Sequence, residues 1–345
     1  MKKLLYWFVL VVSLAVIVSS CAESEEDKET TASTDNTTSS SDDSSDNSTS
    51  TSDNSSSSSS SSSGIFVTTG QWIYKSADGI TWDNTTSNLP DHWSLSLYDV
   101  VYGNDTFVGV GAAGHVYKST DNGSNWDNIT SPTTEHLTSI EFGNDTFVGF
   151  SMQGNIIRST DNGSNWDNVS SPTENNIQSV AFGNNVFVAV GAGGNIVRST
   201  DNGANWDNVT SPTSGFLYEV AFGNSVFVGV SDNGSIIRST DNGENWDNVT
   251  RMSSKAHYGI TFGNNIFVAT GGDGSIIRST NNGSSFDNVT SHPNATTRAE
   301  VAYGNNTFVS VGMMGNIIKS TDSGETWDNV TSPTSNSLSG ITFSE

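Results

Sequence analysis

Apolar and polar residues alternate over short stretches through most of the chain, and each stretch ends at Gly, Asn, Asp or Ser. In one window of the sequence the runs read IQSVAFG, NVFVAVG, NIVRSTD and NWDNVTS. Alternation with a period of two is typical of half-buried β-strands, and no helical periodicity competes with it. The pattern therefore predicts four short antiparallel strands in each window.

The same window recurs along the chain. A Ser that opens the motif STDNG, or a degraded form of it, lies at seven positions with spacings of 43, 40, 40, 40, 40 and 41 residues: Ser76, Ser119, Ser159, Ser199, Ser239, Ser279 and Ser320. A small four-stranded sheet must stack on copies of itself to cover both its faces, which is how the blades of a β-propeller pack. We predict an all-β, seven-bladed β-propeller of four-stranded blades over residues 64–345.

The two ends of this region complete one repeat between them. The run that starts at Gly64, GIFVTTGQWIYKSADGITWDN, begins with the second strand of a repeat, and the run LSGITFSE from Leu338 is a first strand alone. The C-terminal strand is therefore expected to close the N-terminal blade, which would remove an open sheet edge.

The N-terminus has the pattern of an exported protein. Lys2 and Lys3 precede an apolar run that is too short for a stable membrane span, so residues 1–20 are interpreted as a signal peptide. The run ends in VSSC, which resembles a bacterial lipobox and implies that Cys21, the only cysteine, is lipidated. An ordinary signal peptide with an incidental cysteine is the alternative. The resemblance implies a lipoprotein of the outer membrane or cell surface.

The segment that follows Cys21 is interpreted as a disordered tether, so that the lipidated Cys and tether together span residues 21–63. Residues 22–63 contain ten acidic residues, one Lys and long Ser and Thr runs, with no apolar residue larger than alanine. Such a composition cannot offset the entropy of ordering. Residues 64–345 carry 27 acidic and ten basic residues, a net charge of −17. A negative charge of this size repels nucleic acid and anionic lipid. We therefore expect no nucleic-acid partner, and membrane contact only through the lipid anchor.

The repeated motif has the residues of a turn. In STDNGSNW the side chains of Ser159 and Asp161 are expected to accept hydrogen bonds from turn amides, Gly163 to supply a positive φ, and Trp166 to pack across the hairpin. The motif resembles the Asp-box, or BNR repeat, of sialidases and many other propellers. It fits in full at five positions, is one residue short at Ser76 and is degraded at Ser279. We interpret the boxes as structural.

The resemblance to sialidases ends at the box. Sialidases hold their substrate carboxylate with three arginines, the first in an Arg-Ile-Pro motif that is missing here, and only Arg251 and Arg298 lie outside the positions preceding the boxes. The basic residue before each box, such as Arg158, is expected to pair with the Asp after the box aromatic, such as Asp167.

Residues that the repeat does not require are the candidates for function. On the face opposite the boxes, Trp72 and His115 lie in equivalent turns of neighbouring blades, and His92 and Trp93 lie in the long loop between those blades. Exposed aromatic and imidazole rings suit contact with a protein or glycan. The alternative is that the loop covers the closure seam, with Trp93 as its plug.

A second candidate set lies on the innermost strands, where one register position is acidic in three blades: Asp99, Glu219 and Glu300. Carboxylates near a central channel can bind a cation or act as acid and base in glycoside cleavage, and solvated channel lining is the commoner role. Whether a metal binds stays open, and no cofactor is expected.

The phrase GNNVFVAVGAGGNIVRSTDNGANW and its copies look similar to the photosystem II stability and assembly factor propellers. That resemblance implies a seven-bladed, non-enzymatic scaffold for other proteins. Members of that family are lipid-anchored in cyanobacteria, but the long Ser-rich tether of this chain departs from the family pattern. The sequence therefore favours a membrane-anchored binding or scaffolding propeller with a protein or glycan ligand. The alternative is a glycan-active hydrolase, which would need a substrate-sized pocket joining the three channel carboxylates.

Overall fold

The computed structural model describes residues 64–86, 96–249, 255–289 and 298–344. Within them, seven four-stranded antiparallel sheets form the blades of a ring. This confirms the prediction of an all-β, seven-bladed propeller. The predicted signal peptide, Cys21 and tether lie outside the described residues, as do His92 and Trp93.

Each blade has a long inner strand and a fully buried second strand. The inner strands are β4 (Leu97–Gly103), β8 (Leu137–Gly143), β12 (Ile177–Gly183), β16 (Leu217–Gly223), β20 (His257–Gly263), β24 (Arg298–Gly304) and β28 (Leu338–Phe343). The second strands are β1 (Phe66–Gly70), β5 (Thr106–Gly111), β9 (Thr146–Ser151), β13 (Val186–Gly191), β17 (Val226–Ser231), β21 (Ile266–Gly271) and β25 (Thr307–Gly312).

The third and outer strands are shorter. The third strands are β2 (Tyr74–Ser76), β6 (Val116–Ser119), β10 (Ile156–Ser159), β14 (Ile196–Ser199), β18 (Ile236–Ser239), β22 (Ile276–Ser279) and β26 (Ile317–Ser320). The outer strands are β3 (Asp83–Asn84), β7 (Asp127–Ile129), β11 (Asp167–Val169), β15 (Asp207–Val209), β19 (Asp247–Val249), β23 (Asp287–Asn288) and β27 (Asp328–Val330). Blade 1 is β28, β1, β2 and β3, and blades 2 to 7 take the strands from β4 onward in fours.

The two ends of the propeller close the ring as predicted. Strand β28 pairs antiparallel with β1, with Phe343 opposite Phe66 and Ile341 opposite Thr68. The rings of Phe66 and Phe343 lie 4.7 Å apart, and the amide of Ser344 donates to the carbonyl of Ile65. The innermost strand of blade 1 is thus supplied by the far end of the sequence.

The apolar core lies between neighbouring blades. Val108 of blade 2, for example, packs with Phe147 and Trp166 of blade 3 in one buried cluster, and each other pair of neighbours shares a cluster of the same kind. Because the buried surface is shared in this way, a blade depends on both of its neighbours.

A glycine at the end of the inner strand allows this close packing. A Cβ on Gly183 of blade 4 would lie 2.1 Å from the ring of Phe222 in blade 5. The glycines that face an aromatic ring of the next blade in the same way are Gly103, Gly143, Gly223, Gly263 and Gly304. The Gly in each FGN or YGN turn is therefore explained by packing.

Candidate functional site

A cavity of about 340 Å³ opens on the face of the propeller that lies opposite the Asp-boxes. Inner-strand residues of several blades and turn residues of two blades contribute its walls. Its lining residues are Tyr98, Asp99, Thr138, Met152, Gln178, Tyr218, Glu219, Tyr258, Glu300, Met313 and Ser339. We call this the upper cavity, and its volume is in the range of small-ligand and peptide side-chain pockets.

Aromatic and methionine side chains surround the upper cavity. The rings of Tyr218 and Tyr258, on neighbouring inner strands, meet edge to face at 4.8 Å, and the ring of Phe216 lies 4.7 Å from that of Tyr218 in a tilted arrangement. Met152 is 38% exposed and Met313 is 51% exposed. Large apolar groups at an open cavity provide contact area for a partner.

The deeper wall of the upper cavity is acidic. Asp99, Glu219 and Glu300, the three carboxylates singled out from the sequence, line it together. The sequence criterion for a glycan-active enzyme, a substrate-sized pocket joining these three residues, is therefore present in the structure.

These residues also connect the blades. Asp99 accepts hydrogen bonds from the amide of Val100 in its own strand and from the amide of Ile140 in the next blade, at 2.7 and 2.8 Å. Glu300 accepts from the amide of Ile341 in blade 1 at 3.1 Å. Where this position is Ser, its hydroxyl plays the same part, as Ser179 does for the amide of Val220. The position is thus polar in most blades because it links adjacent inner strands.

Burial governs the protonation of this wall. It raises the pKa of Asp99 to about 6, although the amide hydrogen bonds from Ile140 and Val100 oppose the rise. Burial, followed by the negative charge of Asp99, raises the pKa values of Glu219 and Glu300 well above their ordinary value. Near neutral pH the cluster therefore carries protons that exposed carboxyls would have lost.

A fourth carboxyl was missed by the sequence analysis. Glu141 lies on inner strand β8, two residues after Ser139, which occupies the position compared between the blades. At the position of Glu141 itself, the other blades carry small or apolar residues. Together with Asp99, Glu219 and Glu300 it lines a second, lower cavity of about 300 Å³. Burial, helped by the charge of Asp99, raises the pKa of Glu141 to about 8. A comparison of every inner-strand position would have found this glutamate.

The aromatic patch proposed from the sequence has only two described members. Trp72 is partly buried against the apolar cluster between blades 7 and 1. His115 lies at a separate cavity with residues of blade 2 only, such as Thr130 and Thr133. That cavity does not include Trp72, so no described cavity unites the patch.

The Asp-boxes are hydrogen-bonded turns. In blade 3, the Ser159 hydroxyl donates to Asp161 and accepts from the amide of Gly163, whose φ is 74°. The amide of Asn165 donates to Asp161 at 2.9 Å, and Trp166 Nε1 donates to the Gly163 carbonyl at 3.1 Å. The polar groups of Ser159, Asp161 and Trp166 have partners within the turn, and Asn162 and Ser164 hydrogen-bond to blade 2. The polar groups of the box thus serve the turn and the blade interface.

The basic residues before the boxes act between blades, which corrects the expectation of pairing with an Asp in the same repeat. Arg158 lies opposite Asp167 in the strand register, but its Nε donates to the carbonyl of Asn202 in the next blade's box at 2.7 Å. Within the described residues the only ion pair joins Arg278 to Glu325 of the following blade, at 3.0 Å. The basic residues with described contacts, from Lys75 to Arg278, reach the box turn of the next blade in the same way.

Two negative findings apply to the described part of the chain. It holds no group of three His, Cys, Asp or Glu side chains placed to bind a metal ion. It also has no helix with the length and apolar character needed to cross a membrane.

Fold and site together define an Asp-box propeller with an aromatic-rimmed, acidic cavity on the face opposite the boxes. The sequence model for photosynthesis system II assembly factor YCF48 matches residues 128–345. The chain belongs to this family. No curated protein matches the chain significantly.

Solved structures with the same fold include members of this family. A structure described as YCF48 bound to D1 peptide is 18% identical, with a TM-score of 0.55 over 68% of this chain and 82% of that chain. YCF48 from Cyanidioschyzon merolae is 20% identical, with a TM-score of 0.55 over 68% of this chain and 84% of that chain. The computationally designed Ika8 protein is 12% identical, with a TM-score of 0.59 over 82% of this chain and 91% of that chain.

Proposed function

We propose that the propeller is a non-enzymatic protein-binding module that receives a peptide segment of its partner at the upper cavity. The observation that carries this proposal is the rim of Tyr98, Tyr218, Tyr258, Met152 and Met313 around an open cavity. Aromatic and methionine side chains are enriched at the centres of protein interfaces. Membership of the YCF48 family, with a relative bound to a peptide, supports the same role.

We further propose that Cys21 carries a lipid that anchors the propeller to the outer membrane or cell surface. The support is the sequence VSSC after a short apolar run, followed by the acidic Ser-rich segment up to residue 63. In this arrangement the tether holds the binding face away from the bilayer, and the negative charge of the propeller opposes its adsorption to anionic lipid.

The anchor can be tested by cell fractionation. We expect Cys21→Ser to move the protein from the detergent-soluble membrane fraction to the aqueous fraction, because the lipid on Cys21 is the membrane attachment that the proposal invokes. Ser20→Thr is the matched control and should leave the distribution unchanged. Retention of Cys21→Ser in the membrane fraction would contradict the lipid anchor.

Binding at the upper cavity can be tested with a phage library of disulfide-constrained heptapeptide loops selected against the full chain. We expect the selected peptides to lose about 30-fold or more in affinity for the variant with Tyr218→Ala and Tyr258→Ala, measured by calorimetry. Truncation of an aromatic anchor typically costs ~2 kcal/mol or more. Ile80→Ala, an exposed apolar residue in the box turn of blade 1, is the control.

The aromatic patch is the competing location for the same contact. If Trp72→Ala with Trp93→Ala abolishes peptide binding at an unchanged melting temperature, while the tyrosine variant binds normally, the contact lies at the patch. A lower melting temperature for the tryptophan pair would instead assign Trp72 to packing in the closure seam. Failure of the library to yield any specific peptide would contradict the proposed function itself.

A glycan-active hydrolase remains the second candidate, since one cavity joins Asp99, Glu219 and Glu300. Both oxygens of Asp99 already accept backbone hydrogen bonds, which favours a structural part for this residue. Release of reducing sugar from a defined oligosaccharide panel by the wild type, lost with Glu219→Gln or Glu300→Gln, would establish the enzyme and displace the binding proposal.

A further inference from the structure

Two carboxylate oxygens in the upper cavity accept no hydrogen bond from the described residues. Glu219 Oε1 accepts from the Ser179 hydroxyl at 3.3 Å, and Glu300 Oε2 accepts from the Ile341 amide. Their second oxygens, Glu219 Oε2 and Glu300 Oε1, have no hydrogen-bond partner among the described residues. Both side chains line the cavity, so each offers an acceptor to a bound group.

The charge around these acceptors is one-sided. None of the described residues that line the upper cavity is basic. Of the basic residues in the propeller, seven precede the boxes, and those for which contacts are described reach the box turns of the next blade, as Arg158 and Arg198 do. When its carboxyls are ionised, the cavity is therefore complementary to a positive charge that none of its described lining residues supplies.

A buried hydroxyl without a hydrogen-bond partner lies next to the backbone of Asp99. Thr69 is fully buried, and its Oγ1 has no hydrogen-bond partner. It faces Gly340, because a Cβ on that glycine would lie 2.9 Å from Thr69 Oγ1 and 2.8 Å from the Cα of Asp99. The absence of a side chain at Gly340 thus leaves this hydroxyl next to the strand that carries Asp99.

We infer that the upper cavity takes a cationic side chain, arginine or lysine, presented by a loop of the partner protein. The cation lies against Glu219 Oε2 and Glu300 Oε1, and the edges and faces of Tyr98, Tyr218 and Tyr258 surround its alkyl stem and contribute cation–π attraction. Met152 and Met313 contact the flanking residues of the loop.

The lining favours an organic cation over a metal ion. The described carboxyls do not converge closely enough to hold a metal, and a guanidinium or ammonium on a long stem can span separated acceptors. The aromatic and thioether groups of the rim can pack against an alkyl stem, whereas a hydrated metal ion is bound by oxygen ligands. The partner segment is therefore a basic one.

This inference rests on the proposed function, and the test separates the two. From the heptapeptide selection described above, the tightest peptide is resynthesised with its Arg replaced by citrulline, or its Lys by acetyl-lysine. We expect every selected family to contain a basic residue at a fixed position, and the neutral replacement to weaken binding about 10-fold or more, the scale of a charge-assisted hydrogen bond.

The protein side of the contact has a matched control. Glu219→Gln with Glu300→Gln should lower the affinity of the basic peptide to about that of its neutral analogue. The neutral analogue should bind the double variant no more weakly than it binds the wild type. Glu244→Gln, an exposed glutamate in a box turn, should have no effect. Selected peptides that lack a basic residue, or that bind the double variant normally, overturn the inference while leaving the proposed function standing. Failure to select any peptide overturns both.

The pH dependence of binding gives an independent readout. The titratable groups that line the upper cavity are Asp99, Glu219, Glu300, Tyr98, Tyr218 and Tyr258. Besides burial and the charge of Asp99, the negative charge of Glu141, which lies with the three carboxyls at the lower cavity, raises the pKa values of Glu219 and Glu300. Burial raises the pKa values of the three carboxyls and also of Tyr98 and Tyr218, so the carboxyls titrate first. A cation prefers them ionised, and the affinity of the basic peptide should therefore rise as the pH is raised from the acidic range, where these carboxyls are protonated, to the alkaline range, where they ionise. An affinity that is flat or falls over this range contradicts the contact.

Discussion

A chain that ends at Thr334 is expected not to fold to the closed propeller. The deletion removes β28, and with it Leu338 and Ile341, which are buried in the cluster between blades 7 and 1. It also exposes the edge of β1, whose backbone groups pair with β28 in the intact chain. A long unpaired edge next to a bared apolar cluster promotes aggregation. We expect loss of the cooperative thermal transition, or aggregation during expression.

The control is a deletion of equal length, residues 53–63, in the segment interpreted as a tether. This variant should melt at the temperature of the full chain, as followed by far-ultraviolet circular dichroism. Ile341→Ala provides a graded step, since truncating a buried Ile costs about 2–5 kcal/mol. Addition of the synthetic peptide for residues 335–345 should restore a transition to the truncated chain. A truncated chain that melts like the intact one would falsify the closure of blade 1 by β28 as a requirement for folding.

The fold was predictable because each repeat carries the same turn residues and the same alternation of apolar and polar positions. Box turns with Gly163 and its equivalents occur at a nearly fixed spacing, and the strands between them alternate between apolar and polar residues. The half repeats at Gly64 and Leu338 indicated the closure. The partners of the basic residues were not predictable, since Arg158 and Asp167 are neighbours in register whereas Asn202 becomes a neighbour only when the blades pack.

The candidate site was predictable only in part. The acidic inner-strand positions were found because repeats were compared at one register, and Glu141 was missed because it lies at another. The tyrosine and methionine rim was also missed. Tyr98, Tyr218 and Tyr258 come from three separate strands, and only the geometry of the ring brings them to one opening. Sequence reasoning looked for the aromatic contact in turns and a long loop, whereas the three tyrosines of the rim lie on inner strands.

The buried carboxyls also predict an unusual dependence of stability on pH. The folded-state pKa of Glu141 is raised to about 8, and those of Glu219 and Glu300 lie well above their ordinary value. Because the folded state favours their neutral forms, the stability that they contribute is complete below the unfolded pKa, near 4.5, and is lost as the pH rises through the folded values. His257, whose pKa burial lowers to about 4, acts in the opposite direction, but only below its unfolded pKa of about 6.5.

Between pH 6.5 and 9 the carboxyls therefore act alone, and the melting temperature of the full chain should fall by about 5 °C or more. Each pKa unit corresponds to ~1.4 kcal/mol of stability, and each kcal/mol changes the melting temperature by about 2–4 °C for a domain of this size. Water that enters the channel would solvate the ionised carboxyls and so reduce this change. Glu141→Gln with Glu219→Gln should flatten the decline, because a neutral amide has no proton to lose, whereas Glu244→Gln should leave its slope unchanged. Scanning calorimetry in buffers of constant ionic strength measures this. A melting temperature that stays flat or rises from pH 6.5 to 9 would contradict the protonated cluster inferred from burial, because carboxyls that are already ionised in the folded ring at neutral pH contribute no decline over this range.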